Sequence, residues 1–317
     1  MISPHDLVTI PFDDWMNTFV RGFLVPYFRP FFRALQVPVT EVLNTLDAFL
    51  SWVPMVVVTA VFALLAWRIV SRNMAILAII GLAFVDMIGL WPETMTTLSM
   101  IITSVLFCTV IGIPVGILVA RNDLAWKIVR PILDVMQTVP SFVYLVPIVM
   151  LFGVGMTPGI IATIIFALPP IIRMTNLGIR NVRADLIEAA EAFGSTSWQM
   201  LWEVQIPLAM RTIMAGLNQT LMLALSMVVI AALIGAGGLG LVVNTGLGRL
   251  NVGQAMSGGV GIVILAIILD RITQGLAEPR TGGSSLRDAL MSFFRGQNTE
   301  AAPSATAGAA APQDKAA

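Results

Sequence analysis

Seven apolar stretches, at residues 52–70, 74–91, 95–120, 132–154, 158–179, 212–237 and 254–272, set the narrowest limit on what this chain can fold into. Each is close to the roughly 20 residues that an α-helix needs to cross a bilayer. The economical reading is an all-α, polytopic membrane protein of about seven transmembrane helices. Composition agrees. Charged residues make up 11% of the chain, where a soluble domain carries about 25%, and the mean hydropathy is +0.88. A formal net charge of zero gives a nucleic-acid partner no electrostatic support, so the lipid bilayer is the expected surrounding.

Basic residues orient the spans, because short positively charged loops stay cytoplasmic. Arg68 and Arg72 follow the first stretch; Arg121, Lys127 and Arg130 lie between the third and fourth; Arg180, Arg183 and Arg211 flank the loop after the fifth; Arg271 and Arg280 follow the seventh. The other side has Trp91-Pro92-Glu93-Thr94, Gly155-Met156-Thr157-Pro158 and a longer turn containing only Arg249. The N-terminus is therefore expected outside and the C-terminus inside. The tail's Arg21, Arg29 and Arg33 oppose this, but acids outnumber them there and a tail of this length obeys the rule only loosely.

The chain divides into an extracytoplasmic or interfacial tail (1–51), a transmembrane domain (52–275) and a largely disordered cytoplasmic tail (276–317). Pro26 and Pro30 interrupt the aromatic part of the first tail. Residues 40–50 read as an interfacial helix capped by Thr40, with Val42, Leu43, Leu46 and Leu50 on one side; a surface anchor is favoured over a gate. Residues 285–295 read as a short amphipathic helix with Ser285 and Asp288 at capping-box spacing, followed by a small, polar stretch. The first residues lack a basic region followed by an apolar one, so no cleavable signal peptide is expected. One cysteine, Cys108, and one histidine, His5, leave no material for a disulfide, a cysteine metal cluster or a histidine triad.

The cytoplasmic loop LIEAAEAFGSTSWQMLWEVQIPLA, residues 186–209, is built differently from its surroundings. Asp185 and Glu188 have N-capping spacing, so a first helix is expected from about Leu186 to Phe193. Gly194 can take the positive φ that ends it. Thr196 and Gln199 can cap a second helix carrying Trp198, Leu201 and Trp202, and Pro207 disfavours helix at Ile206 while suiting the first turn of the next span. Ala189 and Ala190 leave a thin face that another backbone can approach. The loop has the form of a plug.

Glu188-Ala189-Ala190, three residues, Gly194, nine residues, then Val204-Gln205-Ile206-Pro207 resembles the EAA loop of ATP-binding-cassette importer permeases, with Val-x-Ile-Pro in place of the family's Ile-x-Leu-Pro. PILDVMQTVPSFVYLVPIVMLFGVG at 131–155, IIFALPPIIRMTNLGIRNVRADLIEAA, NQTLMLALSMVVIAALIGAGGLG and GGVGIVILAIILDRITQ narrow the resemblance to glycine betaine/proline betaine importer permeases and their choline-transporting relatives. It covers about 52–274. It implies a type I importer permease fold with a cytoplasmic coupling helix, placed in the bacterial inner membrane. It also implies coupling contacts at Glu188, Ala189, Ala190 and Gly194, positioned by Ile206 and Pro207. Two copies would form one pathway, with a cytoplasmic ATP-binding subunit on the coupling loops and an external binding protein delivering substrate. The quaternary ammonium would be recognised mainly by aromatics of that binding protein.

The chain itself offers no phosphate cradle. A P-loop lysine follows a glycine, whereas Lys127 follows Trp126 and Lys315 follows Asp314. No cofactor is expected here, and ATP with its magnesium would belong to the partner ATPase. Gly235-Ala236-Gly237-Gly238-Leu239-Gly240 matches G-x-G-x-x-G but follows no strand, so a span end or close helix contact is the preferred reading. Gln137, Thr138, Pro140 and Ser141 cluster in the fourth stretch, Pro169 and Pro170 interrupt the fifth, and Asn218, Gln219, Thr220 and Ser226 fall in the sixth. Such groups either line a polar route, which would suit a zwitterion, or hydrogen-bond between helices. Asp86 stands inside a span but near its outer end, where packing or interfacial solvation is preferred over proton coupling. Asp134, Arg173, Asp270 and Arg271 lie near cytoplasmic ends. Gly112 and Gly116 form a G-x-x-x-G, the pattern of close helix packing.

Two other functions fit parts of the pattern. A stand-alone ion-coupled secondary transporter or channel accounts for the spans and for Asp86, but not for the capped cytoplasmic loop. An importer permease for another small solute shares the loop but not the quoted spans.

Overall fold

The computed structural model describes residues 14, 15, 18, 22 and 25–277. The predicted helix at 285–295 and the predicted disordered tail lie outside the described residues. Within them the chain is helical, with no strand. The order is α1 (Val25–Trp52), α2 (Met55–Ile69), α3 (Arg72–Met87), α4 (Trp91–Arg121), α5 (Asp123–Thr138), a 3-10 turn (Ser141–Tyr144), α6 (Leu145–Phe152), α7 (Met156–Arg180), α8 (Ala184–Ala192), α9 (Ser197–Gln199), α10 (Ile206–Ala231), α11 (Leu239–Gly248) and α12 (Val252–Ala277). Local chemistry sets several boundaries. Ser71 caps α3 by accepting from the Met74 amide, and Asn122 caps α5 by accepting from Leu124 and Ala125.

The centre is a close-packed trio, α4, α7 and α10, with α7 between the other two. Gly112 and Gly116 of α4 let it approach α7: a Cβ at Gly112 would run into Ile171, and one at Gly116 would lie 2.5 Å from Thr175 Cβ and 3.0 Å from the Ile172 carbonyl. On the opposite side, a Cβ at Gly216 of α10 would lie 2.6 Å from Met174 Cβ and 3.3 Å from the Pro170 carbonyl. The G-x-x-x-G reading as a packing seam therefore holds. Several hydroxyls within this apolar centre are satisfied locally. Thr103 and Ser104 donate to the carbonyls of Ser99 and Met100 at 2.7 and 2.8 Å, and Thr163 donates to Gly159 at 2.8 Å.

Four departures from the sequence reading have physical causes. First, α7 runs unbroken through Pro169 and Pro170, which were expected to interrupt it. Both prolines are buried, and packing on two sides holds the helical path despite the missing donors. Second, the N-terminal tail includes one 28-residue helix, α1, that passes through Pro30 and Pro38. Thr40 lies inside it and does not cap it: its hydroxyl donates back to the Gln36 carbonyl and also to Thr157 of α7. Val39 and Leu43 are buried, and Ser99 of α4 donates to the Asp47 carboxylate at 3.0 Å, so this helix belongs to the packed body. Third, α11 occupies the stretch read as a turn around Arg249.

Fourth, seven straight spans are not what forms. Among the described residues, four segments are long and apolar enough to cross a membrane: Trp91–Arg121, Met156–Arg180, Ser197–Ile234 and Val252–Ala277. The number rises to six if each of two bent pairs counts as one span. One pair is Arg33–Trp52 with Met55–Ile69, the other Asp123–Thr138 with Ser141–Phe152, and each bends by 104°. The expected span at 52–70 is thus the second arm of a pair begun in the tail, and the one at 132–154 is broken at Val139-Pro140. The 16 residues of α3 rise only about 24 Å at 1.5 Å each, short of a ~30 Å core.

The packing seam is testable. Gly216→Val should lower the unfolding free energy in detergent by about 1–3 kcal/mol. Gly248→Ala should change it by less than about 0.5 kcal/mol, since nothing lies within 4 Å of a Cβ at that position. Thermal and denaturant midpoints of the purified variants check both.

Candidate functional site

The loop after α7 folds into a helical hairpin whose two corners are closed by local hydrogen bonds. After Arg180 the chain turns through Asn181 and Val182, and α8 begins at Ala184 with Arg183 as its N-cap residue. The expected Asp185 cap does not form. Asp185 stands inside the first turn, where a negative charge suits the helix N-terminus, and pairs with Arg183 at 2.6 and 3.1 Å. Glu188 therefore does not take part in a capping box, and its side chain is exposed.

The far end of α8 closes as the sequence required. Gly194 has φ +81, its amide donates to the Glu191 carbonyl at 2.9 Å, and the Ser195 amide donates to Ala190 at 3.1 Å. These are the two bonds of a Schellman motif, and a side chain at that φ would be strained. Thr196 then forms the expected capping box: its hydroxyl accepts from the Gln199 amide at 3.3 Å, and Gln199 Oε1 accepts from the Thr196 amide at 3.0 Å.

Beyond that cap the second arm joins α10 without a break. Ile206 is helical (φ −63, ψ −48), contrary to the expectation from Pro207. The turn before it, Met200–Gln205, is wound as a π-helix, with Ile206 donating to Leu201. A wider turn absorbs the donor that Pro207 lacks, so the helix need not end.

These bonds build a hairpin with a packed root and a bare tip. Met200 and Leu201 are buried, and Ile206 is half-buried at the root. Glu188, Ala189, Gly194 and Pro207 are exposed, Ala190 is half-buried, and α8 has no buried residue at all. Phe193 at the tip is 91% exposed. Trp198 and Trp202 lean on each other with ring centroids 5.5 Å apart, and both remain exposed. Beneath the hairpin, a cleft of about 340 Å³ separates its inner side from the ends of α4 and α7, with Arg121, Arg180, Ile187, Glu191 and Gln205 among its walls.

The polar candidates separate into two groups. Gln137 and Ser141, half-buried, and Thr138, exposed, flank the 104° bend at Val139-Pro140. Thr138 donates to the Val135 carbonyl, and the Tyr144 hydroxyl reaches back across the bend to the Met136 carbonyl at 2.7 Å. In α10, Asn218 donates to Asp270 of α12 at 3.1 Å, which is the interhelical use of such a residue. Thr220 is fully buried, with no partner for its hydroxyl. Gln219 and Ser226 are exposed, and Ser226 donates back to Met222. The structure does not bring the α5 and α10 candidates to one point.

Other residues find clear places. Asp134 pairs with Arg173 of α7 at 2.7 Å, an interhelical contact that charge counting could not reveal. Asp86 is exposed in the last turn of α3. The G-x-G-x-x-G segment forms the break between α10 and α11, where the Leu239 amide donates to Thr97 of α4 at 2.8 Å. No strand precedes it, so it is a close helix contact.

Comparison with known proteins agrees with this geometry. Residues 112–281 match the family described as the binding-protein-dependent transport system inner membrane component. The chain is 55% identical over 278 residues to the Escherichia coli glycine betaine/proline betaine transport system permease protein ProW, covering 88% of this chain and 78% of that one. It is 46% identical over 270 residues to the Bacillus subtilis glycine betaine transport system permease protein OpuAB, covering 85% and 95%. A solved inward-facing MetNI methionine ABC transporter superposes with a TM-score of 0.54 at 28% identity, over 61% of this chain and 98% of that one. The apolar helices around α7, the capped hairpin and these likenesses have one meaning: the chain belongs to the family of binding-protein-dependent transport system inner membrane components.

Proposed function

We propose that this chain is the membrane-spanning permease subunit of an ATP-driven importer for glycine betaine- or proline betaine-type quaternary ammonium solutes, or for choline. The observation that carries the reading is the exposed hairpin. Its Glu188-Ala189-Ala190 helix has no fully buried residue, yet its far end is fixed by a Schellman motif followed directly by the capping box of the second arm. A rigid, exposed, small-residue helix is suited to seating in a groove of another protein. Glu188, Ala189, Ala190 and Gly194 contact a cytoplasmic ATPase, while Ile206 and Pro207 set the angle of the arm. The names of the relatives support the solute class.

The chain supplies no phosphate-binding lysine: Lys127 follows Trp126 and Lys315 follows Asp314. ATP and its magnesium are held by the partner, and no cofactor belongs to this subunit. A second copy completes the pathway and an extracytoplasmic binding protein loads it. The N-terminus is outside and the hairpin and C-terminus are cytoplasmic, following the basic loops. Closure of the ATPase on nucleotide displaces the hairpins as rigid elements and switches access to the pathway. Of the polar candidates, Gln137, Thr138 and Ser141 line that route, beside a bend that exposes polar backbone. In α10, Gln219, Thr220 and Ser226 remain candidates, while Asn218 is engaged by Asp270.

Two experiments test the reading. In proteoliposomes with the ATPase and binding protein, Gly194→Asp should leave insertion and basal ATP hydrolysis intact and reduce solute taken up per ATP by about fivefold or more; coupled transport at the normal ratio, or gradient-driven uptake by the wild-type chain without any ATPase, contradicts it. Gln137→Leu should lower uptake while the unfolding midpoint stays put. Asn218→Leu should cost about 1 kcal/mol of stability by removing the α10–α12 hydrogen bond, with Asp270 still held by Gln274, which unfolding in detergent measures.

A further inference from the structure

One side chain, Arg180, ties the base of the hairpin to the ends of two neighbouring helices. Arg180, the last residue of α7, donates from Nε to Asn176 Oδ1 at 2.8 Å and from Nη2 to the Val119 carbonyl at 2.9 Å. Its Nη1 pairs with Asp123 at 2.7 Å. Three elements meet at this guanidinium: α7, which carries the hairpin, the last turn of α4, and the first turn of α5. The Val119 carbonyl is among the final four of α4, which lack an intrahelical partner, and Val119 itself is buried. That bond is therefore costly to leave unmade, whereas Asp123 is 79% exposed and its ion pair alone is weak.

Helix α5 packs lightly: only Leu133 is fully buried along its length, with Ala125, Trp126, Val129 and Met136 half-buried against the core. A second tie, Arg173 to Asp134 at 2.7 Å, joins its other half to α7, but Arg173 Nε is left without a partner, so that fork is only partly used. At its end α5 bends into the 141–152 segment, and the Tyr144 hydroxyl bonded to the Met136 carbonyl braces the corner. The cleft under the hairpin leaves its inner side loosely packed against α4. Directional polar ties at Arg180 and Arg173 thus join light packing in connecting the root of the hairpin to the bend.

We propose that Arg180 is a positioning residue that carries displacement of the hairpin through α5 to the Thr138-Pro140-Ser141 bend. The proposal rests on the hairpin being the seat of the motor subunit. With the clamp intact, α7, the end of α4 and α5 move together, and the braced bend shifts with them. Without it, the hairpin moves and α5 does not follow. Arginine is required for its fork: a lysine keeps the charge but cannot reach three acceptors at once.

The test uses the full chain in lipid nanodiscs with its ATPase subunit, in a Cys108→Ala background, carrying one environment-sensitive maleimide at Phe193→Cys or at Thr138→Cys. With wild-type Arg180, ATP should change the signal at both places. With Arg180→Met, the Phe193 signal should respond as before while the Thr138 response falls about fivefold, and solute taken up per ATP by the same variant in proteoliposomes should fall with it. Arg180→Lys should sit between the two. Asp123→Asn, at an exposed position, gives the same direction with a smaller loss and covers the case in which Arg180→Met does not insert. An unchanged Thr138 response in every variant that inserts overturns the clamp. No response at Phe193 in the wild-type chain overturns the docking reading beneath it, a result distinct from the first.

Discussion

Helix α7 is packed with α4 on one side and α10 on the other, and the rest of the structure depends on how closely those three helices approach. In hydrocarbon no gain comes from hiding apolar surface from lipid, so attraction comes from dense packing and local hydrogen bonds. Gly112, Gly116 and Gly216 supply the density by leaving no Cβ between backbones. The same closeness explains how α7 stays helical through Pro169 and Pro170, since neighbours on both sides leave no room for a kink. The hairpin follows directly from the end of this rigid rod. A displacement applied to it meets a stiff element instead of a loop.

Function follows from what the hairpin exposes. A helix with no buried residue, closed at its far end and followed by a capped second arm, has had its conformational entropy removed by local bonds before any partner arrives. Such preorganisation lowers the cost of association. In the function proposed above, energy enters from outside through this surface. The polar residues at the α5 bend, by contrast, sit where a straight helix would have offered only side chains. Broken helices at membrane depth are tolerated where they face protein or a water-filled space.

Features set by neighbouring residues were legible in the sequence. The positive φ of Gly194, the Thr196–Gln199 box and the Gly112/Gly116 seam each rest on residues within a turn or two of one another, and each appears as read. Features set by distant contacts were not. Pro26 and Pro30 read as breakers, yet α1 is helical because Val39, Leu43 and Asp47 find partners on α4 and α7. Thr40 looked like a cap and instead bonds Thr157, 117 positions away. Two further misses were local: Asp185 pairs with Arg183, two residues away, instead of capping, and a π-turn just before Pro207 keeps the helix whole. Helix α11 was hidden behind glycines whose role depends on Thr97 of α4. Apolar runs located the lipid-facing mass but not its bends, because hydropathy is blind to direction.

The account stands or falls on where the hairpin tip faces and what covers it. Phe193→Cys in a Cys108→Ala background, labelled with a membrane-impermeant maleimide, measures both. The account predicts labelling in inside-out vesicles, none in right-side-out vesicles, and protection in the inside-out case when the ATPase subunit is bound. Labelling from the outer face, or labelling that the bound ATPase leaves unchanged, would contradict it.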